Sequence, residues 1–245
     1  MEKVLLHTPE GVRDVYGKEC AVKLTIENSI NKVFNIYGYH NIQTPTFEFF
    51  DIFSKERGSV ASKNLYKFFD REGNTLVLRP DVTPSIARLV AKYYMDVKVP
   101  VKLCYNANTY INNSELQGKL KENTQLGCEL INDDSVEADA EILALVVDSL
   151  KAAGLKEFLV EIGHADFYKG LLEECGFDTE NEQELRKRIE NKNYFGVEEI
   201  LDNNNITGQL KEAFLKLPEL FGSIDVIKSA KELTDNKKAV QSIER

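Results

Sequence analysis

The sequence holds no C-x-x-C pair: its four cysteines, Cys20, Cys104, Cys128 and Cys175, are scattered along 245 residues. That spacing excludes a conventional zinc site, and a disulfide scaffold does not suit a chain of this size. The thiols read as reduced and mostly buried. Long hydrophobic runs are missing as well. The stretch MEKVLLHTPEG carries an apolar run of only Val4–Leu6 before Thr8 and Pro9, too short for a signal peptide or membrane span. No later segment qualifies, so a cytoplasmic protein with no membrane partner is expected. Basic charge is in deficit, with 31 basic against 40 acidic residues and a net charge of −9. A tRNA or DNA binder normally presents a basic face to phosphates, so the balance argues against nucleic acid. His40 and His164 stand alone, with no partners at ligand or triad spacing, and read as structural. No G-x-G-x-x-G opens a helix and no internal repeat is visible. Neither a metal nor a cofactor is implied.

What is present is an ordinary globular composition, 42% hydrophobic and 29% charged, with room for one large domain and a small appendage. Val22, Ile26, Ile30, Val33, Phe34 and Tyr37 recur at helical spacing over residues 16–37, and Gly38 ends the pattern. HNIQTPTFEFF follows as an extended segment in which Pro45 suits a strand end or edge. LYKFFD and TLVLR are β-prone runs joined by the turn formers Arg71–Asn74. Thr83-Pro84 reads as a helix start, with Thr83 as N-cap, for a helix over 84–95. Two longer strands are expected near 100–110 and 122–131. SVEADAEILALVVDSLKAAG reads as a well-capped helix buried on more than one side, EFLVEIGH as another strand, and ADFYKGLLEECG as a helix closed by Gly176. From 177 onward charged helical patterns predominate, broken at Asn203–Asn205, Pro218 and Gly222, without β signal. The fold class is therefore α+β, an antiparallel sheet with helices segregated around it. The expected division is a core over 1–176 and a helical insertion or appendage over 177–245.

At LRPDVTPSIARLV the chain resembles the "L-R-P-E-x-T" segment of histidyl-tRNA synthetase and its regulatory paralogue. TPEGVRD resembles the opening of these paralogues, and helix 16–37 with the Pro45 strand resembles the first class II synthetase motif, which supplies a dimer interface in that family. CYNANTYINNSELQGKLKENTQLGCELI is similar to the second motif, most closely at Gly118, Glu122, Thr124, Gln125, Gly127 and Glu129–Ile131. ADAEILAL and IGHADFYKGLLEECG fit as well. RIENKNYFGVEEIL is closer to the regulatory paralogue than to the synthetase. The resemblance covers residues 8–176 and implies the class II aminoacyl-tRNA-synthetase-like fold.

Strand alternation places Gln125, Gly127 and Glu129 on one face, with the glycine leaving space for a small ligand. Asp81 and Thr83 share an i, i+2 relation before the next helix. The resemblance implies that these positions hold an amino acid: Asp81 and Glu129 would meet the cationic α-amino group, and Gln125 and Thr83 would add hydrogen bonds. Read from spacing alone, Asp81 and Thr83 serve equally as helix-start residues, and Gln125 and Glu129 as a solvated sheet face. The family's arginine that clamps the ATP α-phosphate falls on Ile111, which neither donates hydrogen bonds nor neutralises phosphate. Lys119 and Lys121, across the loop, are either phosphate contacts or solvated charges. The third class II motif and the anticodon-binding domain are not found before Arg245. These departures favour a non-catalytic regulatory subunit, one that partners a short-form ATP phosphoribosyltransferase catalytic subunit and senses histidine as effector in the first step of histidine biosynthesis. Self-association through the first motif is implied, and tRNA is not expected as a partner. The alternatives are a synthetase catalytic core adenylating histidine and an assembly protein whose pocket has decayed.

Overall fold

The computed structural model describes residues 6–54, 60–113 and 118–245. They form two units, one ending at Leu159 and one beginning at Val160.

The amino-terminal unit is built on two long strands, β5 (Val101–Tyr110) and β6 (Glu122–Ile131), paired antiparallel along their whole length. Both lie where the β-prone runs predict them. The short β1 (His40–Asn41) adds to β5 in parallel, giving the order β1-β5-β6. A second sheet, β2-β4-β3, is antiparallel and comprises β2 (Phe47–Phe49), β3 (Lys67–Phe69) and β4 (Thr75–Leu78), with the one-turn α2 (Asp51–Ser54) following β2. Its β3–β4 turn is closed by Asp70, whose carboxylate accepts from both the backbone and side-chain nitrogens of Asn74, while Gly73 takes a φ of +85°.

Alternation along β5 and β6 gives the larger sheet two distinct faces. On the front, Val101, Leu103 and Tyr105 pack with Val82, which precedes α3 (Thr83–Tyr93), and Ile86 within it. On the back, Cys104 and Cys128 pack with Phe34 and Ile30 of α1 (Gly17–Ile36) and Leu145 of α4 (Val136–Ala152). Ser135 caps α4 as expected, accepting from Ala138 N–H. The two sheets are tied together by Arg79, which is only 6% exposed. Its guanidinium donates to the carbonyls of Asn108, Thr44 and Pro45.

Two readings change, one at the end of this unit and one in α4. EFLVEIGH forms no strand, and Leu159 and Ile162 are solvent-exposed. β propensity yields a strand only where a neighbour accepts and donates the ladder bonds, and no described segment does so here. Helix α4 is buried along one side only, with Val136 and Val146 exposed. In α1, Phe34 is buried and Ile30 joins the core, whereas Val22 and Ile26 face outward.

The second unit is helical throughout its described residues: α5 (Ala165–Cys175), α6 (Thr179–Glu190), α7 (Tyr194–Asn203), α8 (Gly208–Lys216), α9 (Val226–Glu232) and α10 (Lys237–Glu244). This compact unit begins at Val160 and takes α5 into its core. Leu171 of α5 is fully buried with Leu185, Val197, Leu201 and Phe214. Gly170 explains how closely α5 meets the last helix: a Cβ there would lie 2.8 Å from Ala239 N. Gly176 ends α5 in the left-handed conformation, φ +63°, as the sequence indicates.

Candidate functional site

The front face of the sheet carries the candidate site. Cross-strand register pairs Leu103 with Glu129, Tyr105 with Gly127 and Ala107 with Gln125, so the polar side chains of β6 emerge beside small or apolar partners. The turn before α3 brings Asp81 and Thr83 over the same face. The structure thus gathers all four residues singled out from the sequence. Thr83 Oγ1 donates to Glu129 Oε1 at 2.6 Å, and Gln125 Nε2 makes a long 3.5 Å contact with Asp81 Oδ1.

Thr83 is not an N-cap. It is the first residue of the helix, Val82 precedes it without a side-chain cap, and Pro84 occupies the first turn. Its hydroxyl is turned to Glu129 instead. Asp81 Oδ1 accepts the backbone N–H of Val82 at 2.7 Å, which fixes the carboxylate at the helix entrance.

The site's electrostatics are those of one desolvated carboxylate, Glu129, beside a second acidic residue. Burial pushes the Glu129 carboxyl above its usual range; the Thr83 hydrogen bond opposes this and the nearby Asp81 charge adds to it. Among the described residues no basic side chain forms an ion pair with Glu129. A half-buried carboxylate without a cationic partner is chemically suited to an ammonium ligand, because a charge-assisted bond is about twice as strong as a neutral one.

Gly127 has a different role from the one its spacing suggests. The room above it is filled by the Tyr105 ring, and a Cβ at Gly127 would stand 2.4 Å from the Tyr105 hydroxyl oxygen. Tyr105 is 4% exposed, and burial pushes its hydroxyl up to about 12, with Glu129 and Asp81 adding to the shift. Sequence reasoning missed this residue. The signal that finds it is strand register: Tyr105 is the one aromatic that faces the glycine directly.

Ile111 follows the end of β5, its N–H donating to the carbonyl of Lys121. Lys119 is exposed, whereas Lys121 is held: its N–H donates to Gly11 O, and its aliphatic stem occupies the space a Cβ at Gly11 would need. Of the lone histidines, His164 acts as a helix cap, Nδ1 accepting from Asp166 N–H at 3.2 Å.

A long antiparallel strand pair, helices on its back and a carboxylate-bearing front face define a class II aminoacyl-tRNA-synthetase-like protein. The family profile described as histidyl-tRNA synthetase matches residues 11–245, and the chain belongs to that family. Within it, the chain is 45% identical over 244 residues to a protein of Ruminiclostridium cellulolyticum named ATP phosphoribosyltransferase regulatory subunit, covering 100% of this chain and 58% of that one. A protein of the same name from Acetivibrio thermocellus is 41% identical, with 97% and 57% covered. The chain therefore spans somewhat over half the length of these relatives. A Bacillus halodurans structure titled ATP phosphoribosyltransferase regulatory subunit/histidyl-tRNA synthetase superposes with a TM-score of 0.87 at 35% identity, covering 98% of this chain and 62% of the other. Histidyl-tRNA synthetase from a Nostoc species shares the fold at a TM-score of 0.76 and 17% identity, with 98% and 56% covered.

Proposed function

We propose that this protein is a non-catalytic regulatory subunit of ATP phosphoribosyltransferase in the cytoplasm, and that it binds histidine through Asp81, Thr83, Gln125 and Glu129. The observation that carries the reading is the Glu129–Thr83 pair on the front face, a desolvated carboxylate with no ion-pair partner among the described residues. The relatives' names support the partner only as a catalytic subunit of ATP phosphoribosyltransferase; a short-form subunit is the partner this reading requires. Asp81 and Glu129 take the α-amino group, and Thr83 and Gln125 complete the polar lining.

Ile111 supports regulation over adenylation. At the position where the resemblance implies a guanidinium in the synthetases, this chain has the hydrocarbon side chain of Ile111, and preorganised charge is usually the largest contribution to phosphoryl chemistry. Feedback then requires histidine to favour one arrangement of the assembly over another, since a ligand shifts an equilibrium only by its differential affinity. Self-association is supported by the apolar side chains left outward on the first-motif elements: Val22, Leu24 and Ile26 on α1, and Phe47 and Phe49 on β2.

The test is co-expression with a short-form ATP phosphoribosyltransferase. A stable complex with raised activity and histidine inhibition is expected, the inhibition being lost in Glu129→Ala. Failure to associate or to activate removes the regulatory reading. Inhibition that survives intact in Glu129→Ala removes the sensing role of this pocket.

A further inference from the structure

We propose that Cys104 and Cys128 form a reversible cross-strand disulfide, closed by a small-molecule disulfide, that ties β5 to β6 behind the positions bearing Gln125 and Glu129. Strand register and packing within the amino-terminal unit carry it, independently of any amino-acid ligand.

All four cysteines are free thiols, and of them only Cys104 and Cys128 face each other in a strand pair. Their place in the ladder decides how closely. Hydrogen-bonded and non-bonded pairs alternate along antiparallel strands. Ile111 N–H donates to Lys121 O at 2.9 Å, so 111 and 121 are a bonded pair, and counting back in twos makes 105 with 127 and 103 with 129 bonded pairs too. Cys104 and Cys128 therefore form a non-bonded pair. The Cys104 carbonyl accordingly turns to β1, accepting Ile42 N–H at 2.9 Å. Side chains stand closest at such pairs, with Cα atoms about 4.5 Å apart. Disulfides span Cα separations of about 4.4–6.8 Å, so a bridge fits the backbone as it stands, and its place at the short end of that range keeps it reducible.

Both side chains lie on the back of the sheet, in the cluster that holds Phe34, Tyr39 and Leu145. The Cys104 thiol is turned to β1, its Sγ donating to Asn41 Oδ1 at 3.6 Å, and rotation about its Cα–Cβ bond carries it towards Cys128. An uncharged disulfide suits this apolar setting better than a thiolate does. Cys104 is fully buried and Cys128 only partly, so Cys128 is the point of entry. Its thiolate attacks one sulfur of the small disulfide and expels a thiolate, leaving a mixed disulfide on Cys128. The Cys104 thiolate then attacks Cys128 Sγ and expels the second. Two protein thiols are oxidised, the small disulfide is reduced to two thiols, and the protons lost by the protein pass to them. Burial, with Glu129, Cys104 and Glu141 adding to it, pushes the Cys128 thiol up to about 11, so closure is slow at neutral pH.

The test incubates the folded protein with excess cystamine at mildly alkaline pH, alkylates the remaining thiols, and maps the peptides by mass spectrometry after digestion without reductant. Most of the protein is expected to carry the Cys104 and Cys128 peptides joined within one chain, which migrates as a single chain on a non-reducing denaturing gel. Dithiothreitol should release both thiols. Cys104→Ala should instead keep a cystamine adduct on Cys128, because the thiol that resolves it is gone; an unmodified Cys128 in that variant would overturn the entry through Cys128. The wild-type map decides the pairing whether or not the variant folds. Both thiols remaining reduced, Cys128 holding the adduct beside a free Cys104, or a link between two chains each overturns the proposal.

Discussion

Replacing Arg79 by Met removes a buried guanidinium that serves three backbone carbonyls at once. The bonds to Asn108 O and Thr44 O are 2.8 Å each and the bond to Pro45 O is 3.1 Å. Hydrogen bonds from a charged donor are each worth about 1.5–3 kcal/mol net. Burial also holds the Arg79 pKa down, so the wild-type side chain bears a desolvation penalty that Met does not, and the sum must be reduced accordingly. The remaining loss is about 3–4 kcal/mol. At roughly 2–4 °C per kcal/mol for a chain of this size, the melting transition should fall by about 6–16 °C. Arg79→Lys should recover little, because one ammonium cannot copy a planar fork that reaches Asn108 on one side and Thr44 with Pro45 on the other. Differential scanning calorimetry measures both variants. Leu171→Ala identifies the transition of the other unit, which it should lower by about 2–5 kcal/mol because the side chain is fully buried. A loss below about 1 kcal/mol in Arg79→Met, or full recovery in Arg79→Lys, would refute the view that this guanidinium locks the two sheets together.

Gly127→Ala should displace the Tyr105 ring and destabilise the protein by about 1–3 kcal/mol, the usual range for overpacking, and a crystal structure should show the ring moved. Glu129→Gln should stabilise the protein at neutral pH. The folded carboxyl titrates above its ordinary 4.5, so its favourable contribution is fully present only below that value and is lost as pH rises through the folded midpoint. The gain from the amide should therefore vanish in acid, as urea titrations at several pH values would reveal; an advantage independent of pH would contradict the assignment. Cys128, pushed up to about 11 by burial, should react slowly with alkylating reagents at neutral pH and roughly tenfold faster per pH unit above it. Rapid neutral labelling of Cys128, followed by mass spectrometry, would contradict its packed setting.

Much of this architecture can be read from the chain because local signals and tertiary packing agree. The alternation over 101–110 and 122–131, the turn at Arg71–Asn74, the Ser135 cap and the Gly176 stop all appear where they are expected. Other features depend on partners remote in sequence. EFLVEIGH has the composition of a strand but no described neighbour to pair with, and α5 joins the helical unit because Leu171 finds its core among helices read as an appendage. At the site, strand parity is enough to place Gln125 and Glu129 together. The turn that swings Thr83 away from capping and onto Glu129 is a tertiary event that a sequence pattern does not encode. Tyr105 was hidden for a related reason: only the pairing register sets it against Gly127.

The most direct measurement is a calorimetric titration of the protein with histidine, in wild type and in Glu129→Ala, with and without ATP. The account predicts micromolar-range uptake by wild type, its loss in Glu129→Ala, and no dependence on the nucleotide. Absence of heat in wild type, or binding that requires ATP at the face bearing Ile111, would contradict it.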